Sequence, residues 1–258
     1  MESTYALPLA AASALVVIAF FVFVPPIAQD EAYHFFADAR TLAGIPNFWN
    51  VASNLPFAVV GALGLRKLRS LHDRVLFSGV LLTFFGSAYY HLAPSDATLV
   101  WDRLPMTLVF MSLLACVVSG ETESRSSRWL LAFFVACGVA SVLCWRFTSD
   151  LRAYVLVQFG PLLILIPALW FVRDARFLAA TLVFYALAKL AEFYDRGIFL
   201  GLPISGHSIK HVLAAIATYF IYRWRARALC PNPVRRGFAR TFCRTDRKGP
   251  CAPAAKQL

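Results

Sequence analysis

Two short stretches of this 258-residue chain place histidines where polar side chains are costly. "SGHSIKH", residues 205 to 211, opens the apolar run "VLAAIATYFIYRW" and sets His207 and His211 four apart. "SAYYH", residues 87 to 91, closes another apolar run and sets Ser87 and His91 at the same spacing. Residues four apart on a helix share one face, a turn from each other. Polar groups at membrane depth face the protein interior and mark functional sites. Three imidazoles with one open position form the ligand set of a catalytic zinc site, whose bound water has a pKa of about 7. Asp102, eleven residues after His91, suits such a site. It either takes the proton of that water or orients a histidine, two roles the spacing leaves open. Ser87 is placed to donate a hydrogen bond to a developing oxyanion. The chemistry these residue types support is metal-assisted hydrolysis.

The elements that must position them are apolar. With 59% hydrophobic and 15% charged residues, and a mean hydropathy of +0.63, the chain reads as an all-α integral membrane protein. Its apolar runs are continuous, without the alternation that a membrane barrel requires. Eight segments approach the length of about 20 residues that crosses a bilayer. They are 6–26, 48–65, 75–93, 103–119, 128–145, 153–172, 177–194 and 207–223. The first lacks a basic start and carries Glu2, so it reads as a retained helix rather than a cleaved signal. A cytoplasmic amino terminus puts 18 of the 25 basic residues on the inner side, ten of them from Arg223 onward. On that orientation both termini are cytoplasmic, and all three histidines and Asp102 lie at the outer end of the bundle.

The tail from 225 to 258 carries most of the net charge of +11 and shows no apolar periodicity. It reads as a disordered cytoplasmic segment near anionic headgroups. No aromatic stacking pattern accompanies its arginines, so no nucleic-acid partner is expected. Cys116, Cys137 and Cys144 fall in helices, while Cys230, Cys243 and Cys251 are scattered in the tail, giving neither a disulfide framework nor a cysteine-rich zinc site. His34 falls in a polar loop and His72 among the charges of "RKLRSLHDR"; neither joins the candidate site. Lys189 and Glu192, three apart, can pair, and Asp195 lies near Lys210 or the metal's surroundings. In "SNLPF", Ser53 and Asn54 suit interhelical hydrogen bonds and Pro56 suits a kink. Arg103 is an exposed ion partner for Asp102 if that carboxylate serves only a helix start.

Together, "SAYYH", Asp102, "HSIKH" and "NFWNVASNLPF" at 47 to 57 resemble the alkaline ceramidases and the wider superfamily of adiponectin and progestin receptor-like membrane proteins. The resemblance spans about residues 30 to 224. It implies a seven-helix core over 30–224, preceded by an extra transmembrane helix within 1–29, eight helices in total. It implies that His91, His207 and His211 ligate zinc, that Asp102 assists the metal-bound water, and that Ser87 lies near the scissile amide. The activity implied is hydrolysis of ceramide or a related N-acyl lipid to a fatty acid and a sphingoid base, with the bilayer delivering the substrate. Animal relatives also bind calcium in an acidic loop before the core; here Asp30, Glu31 and Asp38 are candidate oxygen ligands in the 30–47 loop, but their spacing differs and Asn47 stands where an acid is expected, so the stretch reads first as a solvated acidic loop. The alternatives are a zinc-containing, receptor-like protein with little turnover, or a small-molecule transporter built on Glu192 and Lys189. Oligomeric state is not legible.

Overall fold

The computed structural model describes residues 6–120 and 124–228, with side chains from 15 to 227. Among these residues the chain is all-helical, with no β-strand. In order come α1 (Ala6–Phe23), a single 3-10 turn (Glu31–His34), α2 (Phe48–Ala52), α3 (Leu55–Lys67), α4 (Leu71–Leu92), α5 (Asp96–Ser119), α6 (Arg125–Thr148), α7 (Arg152–Ala168), α8 (Arg176–Phe193), α9 (Asp195–Gly201) and α10 (Gly206–Ala228). The apolar segments read from the sequence fall on these helices, with 48–65 divided between α2 and α3. Length and apolarity qualify four spans to cross a membrane: Phe48–Lys67, Leu71–Leu92, Asp96–Ser119 and Arg125–Thr148. Among the described residues α8 with α9, bent by 78°, adds a fifth if the pair is one broken span rather than a re-entrant loop. α7 is apolar but shorter, and α10 carries two histidines, a lysine and three arginines on its described turns. The first four residues of the tail, 225–228, complete α10, with Arg225 buried; from 229 onward the tail and its three cysteines lie outside the described residues.

Local chemistry fixes the helix ends nearest the histidines. Ser95 and Thr98 form a reciprocal capping box that starts α5 at Asp96, seven residues before the apolar run used to place that helix. Asp102 therefore sits in the second turn of α5 rather than at its start. Ser205 caps α10, its hydroxyl accepting the Ser208 N–H at 3.2 Å. The span from Phe48 breaks at Ser53 into α2 and α3, and Pro56, within the first turn of α3, has no N–H to continue the ladder. The liberated polar groups are used locally: the Asn50 carbonyl accepts from Ser53 Oγ at 3.2 Å and from Asn54 Nδ2 at 2.7 Å.

Two glycines set the close approaches. A Cβ on Gly86 would lie 1.9 Å from the Trp101 carbonyl oxygen, so only glycine lets α4 meet α5 one residue before Ser87. On Gly206 it would lie 2.1 Å from the Ala191 oxygen and 2.8 Å from Asp195 Cα, which presses the start of α10 onto the α8–α9 bend. The main apolar core, including Phe77, Leu113, Leu165, Leu178 and Trp224, fills the opposite part of the bundle. A smaller cluster around Tyr90, Leu99, Trp145 and Tyr154 packs under the loop between α1 and α2.

Candidate metal centre and cavity

His91 comes from the last turn of α4, and His207 and His211 from the first two turns of α10. All three are buried. One nitrogen from each gathers within 4.8 Å of the others, and among the described residues this is the group of metal-binding side chains that converges. The Nε2 atoms of His91 and His211 are 3.3 Å apart, close to the spacing of about 3.3 Å that tetrahedral bonds of 2.0–2.1 Å impose on neighbouring ligands. His91 Nδ1 is buried without a hydrogen-bond partner. Three neutral imidazoles suit zinc among other divalent ions, so the residues present fit a metal.

The surroundings orient the rings. Ser53 Oγ donates to the Asn50 carbonyl and stands 2.8 Å from His211 Nδ1, so that nitrogen is the donor and Nε2 keeps its lone pair. The His207 backbone N–H donates to Asp195 Oδ1 at 2.7 Å, while Asp195 Oδ2 accepts from Ala37 N–H at 2.9 Å. Asp195 thus ties the first turn of α10 to the α1–α2 loop, and it does so without meeting Lys210. Lys210 Nζ instead bonds Glu192 Oε1 at 2.8 Å and approaches His207 Nε2 at 3.1 Å. Lys189 pairs with the other oxygen of Glu192, as its spacing predicts. Tyr33 adds a hydrogen bond to Glu192 at 3.3 Å, and burial pushes the pKa of this loop phenol up.

A loop phenylalanine closes the histidine group on one side. The Phe36 ring lies 4.7 Å from that of His91 and 4.5 Å from that of His207, between centroids. Its loop is pinned by Asp38, whose carboxylate takes a two-pronged contact from Arg40 at 2.8 and 2.6 Å. The Arg40 guanidinium holds the Asp38 carboxyl below the usual carboxylate range. Asn47, with a left-handed φ of 48°, donates its amide to the His91 carbonyl at 2.9 Å. These contacts engage the acidic residues of the loop otherwise than in a gathered oxygen set among the described residues. Asp38 is spent on Arg40 and Asp30 caps its own 3-10 turn, so with Glu31 they form no convergent set of oxygens.

Ser87 of α4 and Asp102 of α5 both face the cavity on the other side, and both are buried. With His211 they line one end of a cavity of about 180 Å³. Arg103 is not the exposed ion partner that its place beside Asp102 suggests. It is buried, stacked 4.1 Å over Trp145 and 4.7 Å over Tyr154, and it also lines the cavity. Below this polar crown the walls turn apolar, through Phe57, Val80, Phe110, Leu113, Ala214 and Ile221. From His211 to Ile221 the cavity follows ten residues of α10, about 15 Å at the rise of a helix.

The profile of the Ceramidase family matches residues 40–180, more than half of the chain. The chain belongs to that family. The match includes Ser87, His91 and Asp102, and stops before His207 and His211. Membership implies an amide hydrolase working on a lipid in a membrane, and the histidine group and apolar cavity agree with it. No curated protein matches the chain. Ser53, Phe36 and Arg103 were not singled out as site residues from the sequence. A serine three positions before Pro56 and a basic residue beside the candidate base were the traces that pointed to two of them.

Proposed function

We propose that the protein is a zinc-dependent intramembrane hydrolase of N-acyl lipids, ceramide first among them, releasing a fatty acid and a sphingoid base. The observation that carries this reading is the gathering of His91, His207 and His211, with His211 lining a largely apolar cavity that Ser87 and Asp102 also line. Zinc held by the three imidazoles supplies a Lewis acid and makes water nucleophilic near neutral pH. The chain supplies the rest. The shaft along α10 takes the acyl tail and leaves the scissile carbonyl at Ser87. Asp102 accepts the proton of the attacking water at its carboxylate and returns it to the amide nitrogen as the C–N bond breaks. Ser87 donates its hydroxyl to the carbonyl oxygen as negative charge builds there. Phe36 keeps the histidine group closed to the loop side, so the lipid reaches the crown from the bilayer.

On this reading α1 within 1–29 is an extra transmembrane helix, 30–224 form a seven-helix core, and 225–258 are a basic cytoplasmic tail. Both termini face the cytoplasm and the histidines lie near the outer face. Purified protein is expected to release fatty acid from a fluorescent ceramide, to stop when a zinc chelator is added, and to recover on readdition of zinc. Full metal occupancy without turnover favours the receptor-like alternative and overturns the hydrolase.

A further inference from the structure

The cavity crown holds one cation more than its own carboxylates neutralise. Lys189, Lys210 and Arg103 face it together with Asp102 and Glu192. Both lysines are engaged with Glu192. Arg103 is only 6% exposed, yet its guanidinium has no carboxylate partner among the described residues. Nη2 donates to Gln29 Oε1 at 2.6 Å, and Nη1 is buried with no partner. The rings of Trp145 and Tyr154 hold the group in place and satisfy its faces, but they leave that edge donor unused. A buried charge left this way is costly unless an anion arrives to meet it.

We infer that Arg103 selects substrates whose amine half carries a carboxylate, so that the N-acyl lipids taken by this cavity include N-acyl amino acids. The placement follows from the cavity's two ends. With the tail in the apolar shaft and the carbonyl at Ser87 and Asp102, the other substituent of the amide is left in the crown. Arg103 follows Asp102 on α5, so its side chain leaves the helix in a different direction and reaches beside the reacting carbonyl, not onto it. One carboxylate meets the one unused donor of this guanidinium. A planar guanidinium edge is also the donor that best fits a carboxylate. Arg103 is here a specificity residue. The inference deepens the hydrolase reading and rests on it only for turnover.

The test is equilibrium binding to the full chain in lipid nanodiscs, comparing N-palmitoylglycine with N-palmitoylethanolamine, which has a neutral hydroxymethyl in place of the carboxylate. The native chain is expected to favour the glycine conjugate by about tenfold, the scale of one charge-assisted hydrogen bond. Arg103→Gln is expected to weaken the glycine conjugate about tenfold more than the ethanolamide. Equal affinities in the native chain, or a preference that survives Arg103→Gln, overturn the inference. If that variant does not fold, Arg103→Lys, which keeps the charge and loses the planar fork, takes its place; a lowered preference supports the inference and an unchanged one overturns it. Selective binding by a zinc-loaded chain that leaves ceramide and the glycine conjugate uncleaved keeps the inference and removes the hydrolase reading.

Discussion

The two ends of the bundle bury polar groups on opposite terms. At the end away from the cavity crown, Asp73 is clamped by Arg225 Nε at 2.6 Å and by Ser70 Oγ at 2.6 Å, and His72 leans on Ser127 at 3.4 Å. Charge there meets charge of the opposite sign within the fold. At the histidine end, three imidazoles gather with no carboxylate in contact with any ring, His91 Nδ1 lacks a partner, and Arg103 Nη1 lacks an anion. Burial costs a polar group the same at either end. The far end repays that cost from its own side chains, whereas the near end is complete only with something added. This separates a structural ion pair from a site more sharply than burial does, because both sets of groups are equally hidden.

The contrast is broken most severely at the histidines. His207→Ala is expected to take hydrolysis of an N-acyl lipid to background while leaving thermal unfolding in detergent nearly unchanged, a pair of readings made on one preparation. The converse holds for Arg225→Ala, which leaves Asp73 charged and buried and is expected to cost about 3–5 kcal/mol of stability, with metal content per folded chain unaltered. Gly86→Ala tests the packing that brings Ser87 to Asp102. Its methyl meets the Trp101 carbonyl at 1.9 Å, and the overpacking is expected to cost about 1–3 kcal/mol and to lower activity further by separating the pair.

Subtler changes sharpen the comparison. Ser53→Ala removes the acceptor of His211 Nδ1 and is expected to weaken metal affinity about 10–100-fold, measured by competition with a chelator. Asp150, in the turn between α6 and α7, bonds Arg152 and the Ile27 N–H, which steadies the end of α1 through Arg152 contacts to Phe21 and Val24. Arg152 holds its pKa down to about 2. Because the folded value lies below the unfolded one of about 4, its stabilisation is present above that pH and lost as pH falls through the folded value. Asp150→Asn is expected to remove this acid limb from the melting profile and to change little else.

Much of the near end was legible in the sequence because its message is local. Ser87 with His91, and His207 with His211, each share a helical turn, and the run that ends at His91 is long and apolar enough to cross a membrane. The start of α5 was misplaced because apolarity was counted while the Ser95–Thr98 cap, two polar residues outside the run, set the boundary. Arg103 was read as exposed since an arginine beside an aspartate near a helix end ordinarily is. Its burial depends on Trp145 and Tyr154, which are distant in the chain and meet it only after α5, α6 and α7 pack. Phe36 was hidden for the same reason: its place over His91 and His207 is fixed by Asp38, Arg40, Ala37 and Asp195, four residues from two separate segments. The number of helices that cross the membrane also escaped a firm count, since α7 is short and α10 trades apolar surface for the residues of the site.

The central claim is that the histidines of α4 and α10 are joined by one metal ion. Elemental analysis of the purified native chain beside His91→Ala tests it directly. About one zinc per native chain, falling to none in a variant that elutes and melts like the native protein, is the result this account requires. Zinc retained by the folded variant, or absent from a native chain that still hydrolyses its lipid, contradicts it.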